Sequence, residues 1–179
     1  MKKIFALILA AALAATMLFT CTAMAEKVEV VYDDALTLSM NYPEGYDVTT
    51  TNMEGVLMWL MVAQDETAPN FVMMLTVSEE YPELERLNDL TEEELQEMIN
   101  NLIEDLNNPT ASVVNTGLGS KVIVIDEQGA EDDLVILESV YHGYDIVMYV
   151  GHNDGSTITV ADLQAAMQIH TDMDFIESK

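Results

Sequence analysis

The chain has 179 residues, 50% of them hydrophobic, and carries 32 Asp plus Glu against 6 Lys plus Arg, a formal charge of −26. Half of the residues can bury, so the acidity does not mark disorder, and the length suits one domain with its own core. The same charge excludes a generic binder of nucleic acid or anionic membrane, because both surfaces are negative and would repel it.

Residues 1–25 read as a bacterial-type secretory leader. Lys2 and Lys3 supply a positive start, and Ile4 to Phe19 is apolar and uncharged. That stretch is shorter than the roughly 20 residues of a spanning helix. Ala23-Met24-Ala25 places small residues at the two positions a signal peptidase reads, which puts the cut before Glu26 and leaves residues 26–179 as a single domain. Lipid attachment at Cys21 is the alternative, but Phe19 and Thr20 precede it where lipoprotein signals carry small residues. After the cut, 32 acids face only Lys27, Arg86, Lys121 and Lys179, a charge of −28, and no cysteine remains. Such a secreted or extracytoplasmic chain has no disulfides and relies on packing.

The elements follow in order. Val28 to Tyr32 and Leu36 to Asn41 alternate around Asp33-Asp34-Ala35 as a hairpin, and Pro43-Glu44-Gly45 ends it. Val56 to Ala63 and Phe71 to Val77 are short unbroken apolar runs, the pattern of central strands covered on both faces. The spacing predicts a helix over 92–106, opened by a Thr91/Glu94 capping box and stopped by Asn107-Asn108-Pro109. Its apolar stripe is Leu95, Met98, Ile99, Leu102, Ile103 and Leu106, opposite Glu93, Glu97, Asn100, Asn101 and Glu104.

Four strand-like stretches come next: Ala111 to Thr116, Lys121 to Asp126, Leu134 to Tyr141 and Tyr144 to Val150. The last two form a hairpin through His142-Gly143, in which Leu137 opposes Met148, Ser139 opposes Ile146, and Glu138 and Val147 share the other face. One face is then the more polar. Thr159 and Asp162 cap a second helix carrying Leu163, Ala166 and Met167, and Met173 to Ile176 closes the chain. Four strands, a helix, four strands, a helix and a short strand predict an α+β fold, a largely antiparallel sheet with helices packed on its faces.

The stretch from Leu36 to Tyr46, with its Pro43-Glu44-Gly45-Tyr46 turn, resembles the opening of PsbP-like domains, with Tyr46 where Trp is commoner. Thr157 to Leu163, followed by a short helix and Met173-Asp174-Phe175-Ile176, is similar to that superfamily's last helix and closing strand. The resemblance implies an α/β/α sandwich and a role in assembly, docking or accessory functions without catalysis. It carries over no catalytic, cofactor-binding or metal-binding residue.

Each motif that invites chemistry has a plainer explanation. Gly117-Leu118-Gly119-Ser120-Lys121 lacks phosphate-loop spacing and precedes a strand. Ser139, His142 and Asp145 are close in sequence, but a hairpin does not bring them together. His142 and His152 fall in turns, and His170 sits at i+7 from Leu163, a half-buried helix-end residue more than a metal ligand. The acidic connection Asp126 to Asp133 and the turn Asn153-Asp154-Gly155 offer oxygen ligands for Ca²⁺ without the register of a calcium loop. Met58, Met61, Met73 and Met74 read as core filling.

The expected function is therefore non-catalytic: an extracytoplasmic interaction or accessory domain, monomer or weak dimer, with a protein or cell-envelope partner and no cofactor. A secreted hydrolase using paired carboxylates and a Ca²⁺-binding surface protein are the rivals. An excess of 28 negative charges repels itself, and screening at about 0.15 M salt shortens its reach to about 8 Å. The melting temperature should rise from low to moderate NaCl, with Ca²⁺ and Mg²⁺ equivalent at matched ionic strength; a saturable Ca²⁺-selective rise in a thermal scan would contradict this.

Overall fold

The computed structural model describes residues 24–32, 36–53, 55–106, 108–116, 121–127 and 134–177. Residues 1–23, which include Cys21 and most of the expected leader, lie outside them, as do 117–120 and 128–133. The strands are β1 (Met24–Val31), β2 (Leu36–Pro43), β3 (Tyr46–Met53), β4 (Val56–Ala63), β5 (Asn70–Val77), β6 (Pro109–Asn115), β7 (Lys121–Glu127), β8 (Leu134–Tyr141), β9 (Tyr144–Gly151) and β10 (Asp174–Glu177). The helices are α1 (Glu92–Ile103) and α2 (Val160–Thr171). Pairing is antiparallel throughout the described ladders, in a three-stranded sheet β1-β2-β10 and a seven-stranded sheet β3-β4-β5-β9-β8-β7-β6. The expected α+β class with a largely antiparallel sheet is the class observed.

Strand alternation assigns each helix its face. On β7, Val122 and Val124 join a core with Leu38 and Met40 of β2 and Leu163, Ala166, Met167 and Ile169 of α2. The intervening Ile123 and Ile125 join a second core with Leu95, Met98 and Ile99 of α1. The large sheet thus carries α1 on one face and α2 with the small sheet on the other.

Three expectations need correction. Five strands precede α1, because β3 pairs with β4 along its whole length. Tyr-Asp-Val-Thr-Thr-Thr-Asn-Met has one strong apolar anchor, Val48, and gains its partners only as a sheet edge. The turn at Pro43-Glu44-Gly45, with Gly45 at φ 85°, is where the chain leaves the small sheet for the large one. α1 stops at Ile103, three residues before Leu106, since Asn108 takes a positive φ of 52° ahead of Pro109, which disfavours helical backbone before it. Third, β4 and β5 are covered on one face only. Leu57, Trp59, Met61, Phe71, Met73 and Leu75 are buried, whereas Met58, Val62, Val72 and Met74 are half-buried and Leu60 is 38% exposed. α1 packs at the β6 end, and no described helix covers the outer face of β4 and β5.

The β8–β9 hairpin has the expected register, Leu137 opposite Met148, Ser139 opposite Ile146 and Glu138 opposite Val147. Its turn residues His142 and Gly143 take φ of 48° and 77°, the doubly positive pair of a type I′ turn. The turn is also a dock for the segment after β5. His142 N donates to the Glu85 carbonyl at 2.9 Å, Gly143 N to that of Leu84 at 2.8 Å, and Ser78 N to that of Gly143 at 2.8 Å. A Cβ at position 143 would collide with the Pro82 carbonyl, so the close approach requires glycine.

Packing of α1 is testable. Ile99 is 8% exposed within the α1 core and Asn101 is exposed, so Ile99→Ala should cost about 2–4 kcal/mol and Asn101→Ala no more than about 0.5 kcal/mol. Leu102→Ala should fall between, because Leu102 is only half-buried. Chemical denaturation of the three variants checks it, and equal costs would mean that the helix is not seated on the sheet.

Candidate functional site

Alternation along β8 turns Leu137, Ser139 and Tyr141 toward α2 and the small sheet. On α2, Thr159 accepts from Asp162 N at 3.3 Å while Asp162 accepts from Thr159 N at 2.7 Å, so the helix starts where the capping box requires. Two turns on from Leu163 this brings His170 against β8, its Nε2 2.6 Å from Ser139 Oγ. The Tyr141 ring stacks on Phe175 of β10 with centroids 4.1 Å apart and planes 20° apart. Arg86 forms a bridge to Tyr141, and its guanidinium carbon stands 5.9 Å from the ring centroid, a cation–π distance. Lys121, at the start of β7, donates its backbone N–H to Asn88 Oδ1 at 2.8 Å.

Together Arg86, Lys121, Ser139, Tyr141, His170 and Phe175 line a pocket of about 240 Å³ between β8, β10 and the end of α2. Asp174 and Met173 complete one wall. Two of the four basic side chains beyond residue 25 are here, and neither is ion-paired among the described residues. Burial pushes the His170 imidazole down to about 4, so it is neutral at pH 7. With Asp174 counted, the pocket carries one net positive charge in a strongly negative chain.

Ser139 and His170 have the reach of a nucleophile and its base, but a base must hold a proton near working pH and is ordinarily oriented by a third group. Burial pushes this imidazole down to about 4, away from a working base's range, and no carboxylate is bonded to it among the described residues. What the pair does is satisfy two polar groups at a sheet–helix contact. Of the sequence-adjacent trio, Ser139 alone reaches the pocket. His142 sits exposed at the turn, its ring 4.3 Å from that of Tyr141, and Asp145 lies on the opposite sheet face across from Val140.

That opposite face holds two further perturbed groups, Glu138 and Asp145. Glu138 is 5% exposed, opposite Val147 and Ile123, so a carboxyl is buried on this side of the hairpin. Burial, reinforced by the nearby Asp145 carboxylate, pushes Glu138 up to about 8. Asp145 is itself raised by burial, partly offset by a hydrogen bond from Ser78. These two acids supply the raised affinities that paired-carboxylate chemistry requires, yet they lie across the sheet from the pocket. His152 Nε2 is 3.2 Å from Asp162 Oδ2, Asp154 accepts from Ser156 N, and Asn153 accepts from Asn70, so the 152–156 turn is tied to α2, to β5 and to itself. Among the described residues no three His, Cys, Asp or Glu converge as a metal site, and the acidic connection lies outside them from residue 128 onward. Met61 and Met73 are fully buried in the core, as core filling requires.

Sequence spacing did not reveal the pocket, because its members come from separate stretches of chain, around 86, 121, 139–141 and 170–175, and the packing of β10 over β8 unites them. The i+7 position of His170 was the one available signal. No protein-family model matches the sequence, and no curated protein matches it. Among solved structures the chain is similar to LpqN, involved in cell envelope biogenesis of Mycobacterium tuberculosis, at 12% identity over 84% of this chain and 90% of that one, with a TM-score of 0.47. A likeness that distant leaves function to be read from the site. No described helix is long and apolar enough to cross a membrane.

The shifts of Glu138 and His170 make a pH prediction with opposing signs. Folded Glu138 keeps a proton up to about pH 8 that an unfolded glutamate loses near 4.5, so its contribution falls as pH rises through that window. Unfolded histidine binds a proton below about 6.5 that folded His170 refuses until about 4, so its contribution falls as pH drops. Stability should be flat between roughly pH 4.5 and 6.5 and decline toward pH 8. Urea unfolding at pH 6 and pH 8 should show that decline shrinking in Glu138→Gln; an undiminished decline would mean that another group causes it.

Proposed function

We propose that this chain is a non-catalytic extracytoplasmic binding domain whose pocket captures a small carboxylate carried on an apolar body. The carrying observation is the convergence of Arg86 and Lys121 on one pocket in a chain otherwise depleted of cations. Global charge keeps anions away, so a local cationic pocket has a recognition role that a random surface lysine lacks. The single net charge left by Asp174 suits a carboxylate better than a phosphate dianion. Tyr141, Phe175 and Met173 offer an apolar wall for the attached group, and neutral His170 with Ser139 adds hydrogen-bonding capacity without activating a nucleophile. At about 240 Å³ the pocket is at the small end of ligand sites and takes a terminal group, not a whole cofactor.

The extracytoplasmic location rests on the leader-like Lys2 to Ala25. β1 begins at Met24, so a cut before Glu26 would trim its first two residues and leave the ladder from Glu26 to Val31. A PsbP-like accessory role, with a protein or envelope partner, is the same reading at family level, supported by the Leu36 to Tyr46 and Thr157 to Ile176 stretches.

Calorimetric titration with hexanoate tests the pocket. Binding should be saturable, stronger than that of inorganic phosphate, and weakened about tenfold or more in Arg86→Ala, the loss of one charge-assisted hydrogen bond. Equal weak binding of both anions, unaltered by Arg86→Ala, would refute the carboxylate pocket.

A further inference from the structure

The geometry points to an extended peptide as the carrier of that carboxylate: we infer that the open edge of β10 pairs with the last residues of a partner chain while its C-terminal carboxylate enters the Arg86–Lys121 pocket. This inference rests on the carboxylate reading and adds the partner's class.

Three observations converge on it. β10 is bonded to β2 on one side only, from Asp174 opposite Ser39 to Glu177 opposite Leu36, and has no strand on its other edge among the described residues. An edge strand presents a row of unpaired N–H and C=O groups, which an added strand satisfies. The pocket lies at the beginning of that same strand, because Met173, Asp174 and Phe175 form one of its walls. Arg86 and Lys121 line the same pocket, Arg86 bridged through its backbone to Tyr141, whose ring stacks on Phe175, so the cationic residues share the pocket that the start of β10 walls.

The direction of the partner follows. β10 runs away from the pocket, from Asp174 to Glu177, so a chain whose last residue enters the pocket runs against it, antiparallel like every other ladder here. Four residues of strand span about 13 Å, enough to pair with three or four partner residues. Phe175, stacked on Tyr141, and Met173 form the apolar wall for the partner's last side chain, which should therefore be apolar. Ile176, 42% exposed beside Glu177, lies farther along the edge for an upstream residue.

Fluorescence anisotropy with the full chain and a labelled Thr-Val-Thr-Val-Val peptide tests the inference, with hexanoate as competitor. The free-acid peptide should bind at least tenfold tighter than hexanoate and be displaced by it. Its C-terminal amide should lose at least tenfold, and so should N-methylation of one alternating set of backbone nitrogens, the set that would face β10, with the other set tolerated. Hexanoate binding as tightly as the peptide, with both N-methylated sets equal to the parent, would overturn the strand pairing and leave the pocket reading standing. Failure of both hexanoate and free-acid peptide to bind would overturn both.

Discussion

The left-handed turn at His142–Gly143 is the constraint from which the site descends. Both residues hold positive φ, which closes β8 onto β9 in one register only. That register sends Ser139 and Tyr141 toward α2 and β10, and Glu138 toward α1. The same turn binds the backbone of Leu84 and Glu85, and Arg86 follows directly into the pocket beside Tyr141. A slip of one residue would exchange the two faces of the hairpin and separate Ser139 from His170.

Charge is handled differently inside and outside. Outside, acids dominate and remain solvated, with few cations near them. Inside, Glu138 of β8 and His170 of α2 are both neutral at pH 7, Glu138 because it keeps its proton and His170 because it refuses one. Burial drives each toward its uncharged form, which is the inexpensive response to a low-dielectric surrounding. The pocket differs, since two basic residues, Arg86 and Lys121, line it together, Arg86 over the Tyr141 ring.

The seven-stranded sheet is asymmetrically covered. α2 and the small sheet protect one face along much of its width, whereas α1 protects the β6 to β8 end of the other. Met58, Leu60, Val72 and Met74 lie beyond its reach. Their apolar character had looked like that of strands buried on both sides, and a run of consecutive apolar residues does carry that meaning in most sheets. Coverage depends on where a helix lands, which no strand encodes for itself.

Local sequence by itself determined the helices, whose starts follow from the Thr91/Glu94 and Thr159/Asp162 boxes, and the β8–β9 register, which two turn residues dictate. These features are set by bonds within about four residues, so a reader of the chain can find them. The α+β class followed from the order of such elements. Tertiary structure alone decided that β3 is a strand, because a polar edge acquires its ladder from β4 and not from its own pattern. It alone decided that the strands divide into two sheets, that Ser139 meets His170 and that Arg86 and Lys121 share a pocket. Those outcomes depend on contacts across tens of residues, where one side chain's spacing carries no information about another's position until the whole core has closed.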